Sequence, residues 1–270
     1  YRRQPSDVYK RQVSTQHYSF AVNAFVELIE RYGSEKYDFC LRETQTYEII
    51  EDVAQMKSEI GILYLNDFNR TVLEKLIKEH DLVFTELFVA KPHIFVSTKN
   101  PLAGKKSVTI EELEPYPYLS FEQGEHNSFY FSEEIFSPSE RKKNIRVRDR
   151  ATLFNLLIGL NGYTVWSGVI DKKLNGKDII AVPLADESEM RIGYIMHRKG
   201  MTSRIGTAYL NVLKKYMERG KVDLYISYED YTEDNYALKY NEGLAGEYLK
   251  YLNAMAETFH LENDVRVSTL

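Results

Sequence analysis

Apolar residues recur at two spacings along the chain, and the alternation between them predicts its elements. Phe20, Ala24, Phe25, Leu28, Ile29 and Tyr32 fall near a 3.6-residue period, which predicts a helix over 20–32 closed by Gly33. A strand over 37–44 follows, then a helix over 46–59 with a stripe of Ile49, Ile50, Val53 and Met56, a wholly apolar strand over 60–65 and a helix over 69–80. This is a βαβαβ run with a parallel sheet. The extended stretch 82–101 carries Lys91-Pro92 as a crossing point between lobes. Beyond it the pattern predicts a helical turn and strand over 109–121, a strand over 144–149, a helix over 150–162, the strands YTVWSG and IIAVPL, a strand over 190–198 and a helix over 202–220. The chain leaves one set of βα units, builds a second and returns. The fold class that this implies is α/β: two Rossmann-like lobes (about 13–90 with 190–217, and 91–189) joined by two crossing strands, with a ligand cleft at the carboxyl ends of the strands.

Charge changes that picture at one end only. Residues 218–270 hold 11 acidic and five basic residues, and their apolar pattern, a strand VDLYISY and an amphipathic helix, is not needed to finish the lobes. They are expected to form a separate α+β extension. The net charge of -5 disfavours a nucleic-acid-binding surface on this chain itself. One cysteine, Cys40, excludes an internal disulfide and a thiolate zinc site, and the six histidines stand singly, so metal chemistry and cofactors are not expected. No membrane-length apolar run and no secretion signal are found, which points to a cytoplasmic protein. Nor is there a nucleophile elbow, P-loop or dinucleotide fingerprint, and no enzyme activity is expected.

The candidate chemistry sits where the first strand gives way to the first helix. There Ser14, Thr15 and Gln16 bring hydroxyl, amide and free backbone N–H donors together, suited to a carboxylate or another small anion. As helix-capping chemistry the same residues need no ligand at all, and spacing alone favours that reading. His17 beside them is either a pH-sensitive group or a hydrogen-bonded histidine without a role.

Four segments resemble the effector-binding domain of LysR-type transcriptional regulators: VSTQHYSFAVNAF, SEIGILYL, VRDRATLFNLLIGLNGYTVWSG, and IGYIMHRK followed by AYLNVLKKY. The resemblance spans residues 13–217 and implies the type 2 periplasmic-binding-protein-like fold, a small-molecule effector between the lobes and a homodimer or homotetramer. In such an assembly the helix 20–32 and strand 37–44 of one subunit meet the helix 150–160 of the next. It places Ser14, Thr15, Gln16 and Tyr64 at the cleft from the first lobe and Ser120, Phe121, Arg148 and Asp149 from the second. Two departures stand out: the family's small-residue run reads Gly159-Leu160-Asn161-Gly162, and its usual proline is Ser167. DNA binding is expected only through a winged helix-turn-helix domain that precedes this region in the family. Residues 1–12, with DVYKRQ, read as translated transposon-end adapter sequence and are set aside. Residues 219–270 are similar to the N-terminal part of the YicC/YloC-like endoribonucleases, which suggests a chimera. The competing readings are a free-standing periplasmic-type solute-binding protein and a fragment of such a ribonuclease.

Overall fold

The computed structural model of the chain describes residues 11–32, 38–126, 128–135, 142–169, 177–200 and 202–227. The chain forms two compact units, residues 1–220 and 221–270, and every strand among the described residues lies in the first. In order, the elements are β1 (Arg11–Thr15), α1 (Ser19–Tyr32), β2 (Phe39–Glu43), α2 (Thr46–Ala54), β3 (Ile60–Leu65), α3 (Arg70–Glu79), β4 (Leu82–Ala90), β5 (His93–Ser97), β6 (Tyr118–Phe121), β7 (Asn144–Val147), α4 (Arg150–Gly159), β8 (Tyr163–Trp166), β9 (Ile179–Pro183), β10 (Met190–His197) and α5 (Arg204–Ser227).

Two five-stranded sheets make the two lobes, in the orders β2-β1-β3-β10-β4 and β7-β6-β8-β5-β9. β1 runs parallel to both β2 and β3, as the βαβαβ pattern requires, and β10 lies antiparallel between β3 and β4. The chain crosses between the sheets twice, from Ala90 to His93 through Lys91-Pro92, and from Pro183 back to Met190.

The apolar run IGILYL is buried along its whole length because each face has its own helical cover. Ile60, Ile62 and Tyr64 enter the cluster with Phe20, Leu28 and Tyr209, whereas Leu63 and Leu65 enter the one with Ile49, Ile50 and Leu73. At about 1.5–3 kcal/mol for each large apolar side chain removed from water, this strand anchors the first lobe. Gly61 has a packing reason: a Cβ there would lie 2.7 Å from both Ile49 and Ile195, so glycine lets α2 approach the sheet. The second lobe is divided the same way around β5, with Ile94 and Val96 in one cluster and Phe95 in the other.

Element ends differ from the periodicity in four places. α2 stops at Ala54, not 59, because Met56 turns left-handed (φ 55) and the N–H groups of Lys57 and Ser58 fold back on Asp52 O. α4 stops at Gly159 because Asn161 takes φ 54, a conformation that asparagine accepts at small cost, so the departure from the family's glycine is absorbed locally. The strand expected over 222–228 is corrected: α5 continues to Ser227. Extending a helix adds one hydrogen bond per residue fixed, whereas a strand needs a neighbouring edge. At the other end, Arg11 and Gln12 of the segment set aside as adapter open β1, opposite Phe39 and Cys40. The expected helix beyond 236 lies outside the described residues.

Candidate functional site

β1 and β3 deliver Ser14, Thr15 and Gln16 to the inner end of the first lobe, where all three are buried. Ser14 Oγ donates to Asp52 Oδ2 (2.8 Å) and lies 2.7 Å from Ser58 Oγ, while Arg42 Nη1 reaches the same Asp52 oxygen at 2.6 Å. Thr15 Oγ1 donates to Gln16 O. Gln16 Nε2 donates to Thr46 Oγ1 (2.6 Å), and its Oε1 accepts from Tyr64 N and Tyr18 OH, both at 3.1 Å. These groups fasten β1 to α2 and β3, so the polar end of the strand is internally satisfied up to residue 16.

The next residue crosses between the lobes. His17 N donates to Glu133 Oε2 (3.0 Å), and its Nδ1 lies 2.8 Å from that same oxygen. Gln123 Nε2 donates to Glu133 Oε1 (3.2 Å), while Gln123 Oε1 accepts from Thr46 N (3.0 Å), the first N–H of α2. One carboxylate, 1% exposed, thereby gathers donors from both lobes. The far ring nitrogen of His17, Nε2, is 3.2 Å from the carbonyl of Arg148. Each ring nitrogen thus faces an acceptor, an arrangement that only the imidazolium satisfies on both sides. Burial is the largest single influence and opposes that charge, but Glu133, Glu43 and the Arg148 carbonyl together outweigh it and the His17 pKa is raised. Beneath the imidazole lies Phe121, stacked at 3.7 Å and 5°, and beneath Phe121 lies Trp166 at 5.5 Å.

The segment that carries Glu133 follows β6 and lies over the first lobe. Tyr47 stacks on His126 (3.5 Å) and meets Phe131 edge-on, and Phe68 stacks on Tyr130 (5.0 Å). Ser19 Oγ reaches Val169 O at 3.4 Å, adding a tie from the start of α1. Beside Glu133, the Glu134 carboxyl accepts from Phe121 N (2.8 Å) and Ser132 Oγ (2.9 Å). Burial first, then the neighbouring Glu133 charge, pushes its pKa up to about 8, so Glu134 is mostly neutral at pH 7. On the other side Arg150 Nη2 stands 2.9 Å from Glu43 Oε1 at an angle poor for a hydrogen bond, so charge alone holds that pair. Burial raises the Glu43 pKa against the pull of Arg150. Glu43 thus stands against Arg150, and Glu133 against His17.

The second-lobe candidates have distinct places. Phe121 is the floor under His17. Ser120 is buried on β6 opposite Arg146. Arg148 presents its carbonyl to His17, whereas its guanidinium is exposed and pairs with Glu122. Asp149 caps α4 by accepting from Thr152 N at 2.8 Å. Tyr64 is fully buried, its phenol held above the ordinary pKa by burial and by Glu134 and Glu133. Sequence reasoning missed Glu133, Glu134, Gln123, Thr46 and the Glu43–Arg150 pair. The one signal for the acids was two adjacent glutamates directly after the aromatic run FYFS. Among the described residues no cluster of metal ligands occurs, and no helix is long and apolar enough to cross a membrane.

Comparison with known proteins divides the chain in two. Residues 201–270 match the N-terminal region of YicC-like endoribonucleases. The probable endoribonuclease YicC of Clostridioides difficile strain 630 is 35% identical over 57 residues, 21% of this chain and 20% of that protein, so the chain spans about a fifth of that relative's length. Among solved structures, HinK, a LysR family transcriptional regulator from Pseudomonas aeruginosa, aligns over 76% of this chain and 69% of its own at 11% identity, TM-score 0.52. The BenM effector-binding domain with its effector benzoate aligns over 79% and 95% at 16% identity, TM-score 0.53. The effector-binding domain of QuiR in complex with shikimate aligns over 78% and 97% at 15% identity, TM-score 0.51. At such identities these likenesses establish the two-lobed fold. Residues 14–218, from the end of β1 through the lobes and well into α5, match the LysR substrate binding domain, and the chain belongs to that family.

Proposed function

We propose that residues 13–217 are the sensory half of a cytoplasmic LysR-type DNA-binding regulator and bind a small anionic effector between their lobes. The observation that carries this reading is the donor set at the end of β1: the His17 N–H, the His17 imidazolium and the Gln123 amide converge from both lobes on one carboxylate position. An anion there touches both lobes at once, so it biases whichever lobe arrangement brings the donors together. Benzoate and shikimate, the ligands of the BenM and QuiR domains, are both carboxylates. Around the donors, Gln16, Tyr64, Phe121 and the Arg148 carbonyl act as positioning groups, with Ser14, Thr15, Ser120 and Asp149 behind them. DNA contact comes through a winged helix-turn-helix domain outside this chain, brought to its site by a homodimer or homotetramer. Exposed Val26 on α1 and Ile158 and Leu160 on and after α4 suit the subunit surface.

Trp166, the only tryptophan, stands two rings from the site and makes the reading testable. Titration with benzoate, shikimate and acetate at constant ionic strength is expected to give a saturable fluorescence change for at least one carboxylate and none for benzyl alcohol. Saturation by the alcohol with silence from every carboxylate contradicts it. For residues 219–270 the YicC likeness favours a second origin, a piece of such a protein joined to the sensory domain. Sequencing across the source gene decides that point: a stop codon near residue 220 supports the join, and one continuous reading frame contradicts it.

A further inference from the structure

We infer that Glu133 is a built-in stand-in for the effector: its carboxylate occupies the anion position at His17, and an effector binds only by displacing it together with the segment 128–135 that carries it. This inference rests on the effector reading above and specifies how that site is regulated. Three observations carry it. First, among the described residues the acceptor on both His17 N and His17 Nδ1 is Glu133, and a third donor to it comes from Gln123. Second, charge leaves no room for an additional anion. Glu43 faces Arg150 and Glu133 faces His17, and Asp149 at the start of α4 adds a further acid beside them, so an additional carboxylate enters a site where each cation already has an acidic partner. Exchange of one carboxylate for another leaves the net charge of the site unchanged, and addition does not. Third, the segment is held over the first lobe by ring contacts, Tyr47 edge-on against Phe131 and Phe68 stacked on Tyr130, with Phe68 58% and Tyr130 38% exposed. Such aromatic pairs are each worth about 0.5–1.5 kcal/mol, weak enough to open and re-form.

The consequence is a threshold. A site whose open form is only a small fraction of molecules shows an apparent affinity reduced by that fraction, so the internal carboxylate sets the concentration at which the domain responds. It also defines the ligand class as a small carboxylate able to take two N–H donors and one imidazolium edge. A phosphate dianion brings one charge more than it replaces.

Acetate is the probe, because it matches the end of the glutamate side chain. The 270-residue chain and its Glu133→Ala and Glu133→Gln variants are compared by Trp166 fluorescence and by thermal unfolding in sodium acetate, with sodium chloride at matched ionic strength as the control. Glu133→Ala is expected to bind acetate at least about tenfold more tightly than the parent and to recover melting temperature as acetate is added. Glu133→Gln keeps the side-chain shape and one acceptor but loses the charge, and gives an intermediate gain. Equal acetate affinity in the parent and both folded variants overturns the stand-in while leaving the effector reading intact. Acetate binding by the variants together with no response of the parent to any carboxylate supports the stand-in and overturns the effector reading. If Glu133→Ala does not fold, Glu133→Gln decides: a gain supports the inference, and parent-like affinity overturns it.

Discussion

Between pH 5 and pH 8 the unfolding free energy of the protein is expected to fall by on the order of 1 kcal/mol per pH unit, and Glu134→Gln is expected to flatten most of that slope. The cause is a carboxyl group carried into the space between the lobes. Glu134 is 1% exposed, and burial, followed by the charge of Glu133, lifts its pKa from an ordinary value near 4.5 to about 8. In the unfolded chain the same group releases its proton near 4.5. Across the interval between those values the folded state holds a proton that the unfolded state has lost, so raising the pH favours unfolding. The stabilisation is complete below about 4.5 and is lost as the pH climbs through about 8. His17 adds to the slope with the same sign, since its raised pKa gives stability that disappears as pH rises through the folded value above 6.5. Charged or titratable groups facing the pair come from every adjoining element: Tyr18 just before α1, Glu43 on β2, Tyr64 on β3, and Asp149 and Arg150 at α4. Urea unfolding followed at Trp166 at pH 5, 6, 7 and 8 measures the slope. A flat or rising profile for the parent, or an unchanged slope in Glu134→Gln, contradicts the assignment.

Phe121→Ala is expected to cost about 3–5 kcal/mol, the range for removing a large buried ring. Phe121 is 3% exposed at the end of β6, packed in one cluster with Leu119, Val147, Leu153, Leu157 and Trp166. Its other face carries the His17 imidazole, so the substitution takes away both second-lobe packing and the surface on which the imidazolium is held flat. Urea unfolding read by circular dichroism, with Trp166 fluorescence alongside, separates the two effects: stability falls, and the tryptophan signal loses its sensitivity to protonation of the site. A loss under about 1 kcal/mol means that the cavity closes over and the ring is not the floor described.

The fold was legible in the sequence wherever one element presents one period. IGILYL announces a strand covered on both faces, and the α1 stripe from Phe20 to Leu28 faces the same core that the strand enters. Lys91-Pro92 marks the crossing because proline cannot continue a ladder and the two flanking strands belong to different sheets. Element ends were less legible, since they depend on single left-handed residues such as Met56 and Asn161, neither a glycine. The family resemblance drew attention to residues 14–16, one position short of the interlobe bond at His17. The acids were hidden for a different reason. Glu133 and Glu134 follow 3-10 turns in an irregular segment, and only tertiary structure brings that segment 116 residues back along the chain to His17. An adjacent pair of glutamates reads as a solvated turn unless it is known to be buried.

The most direct test of the central claim is a crystal structure of Glu133→Ala grown in acetate. A carboxylate within hydrogen-bond distance of His17 N and Gln123 Nε2, with the two lobes arranged as they are here, is the predicted result. An empty or water-filled position at His17, with acetate bound elsewhere or not at all, contradicts the account of this cleft as an anion-sensing site.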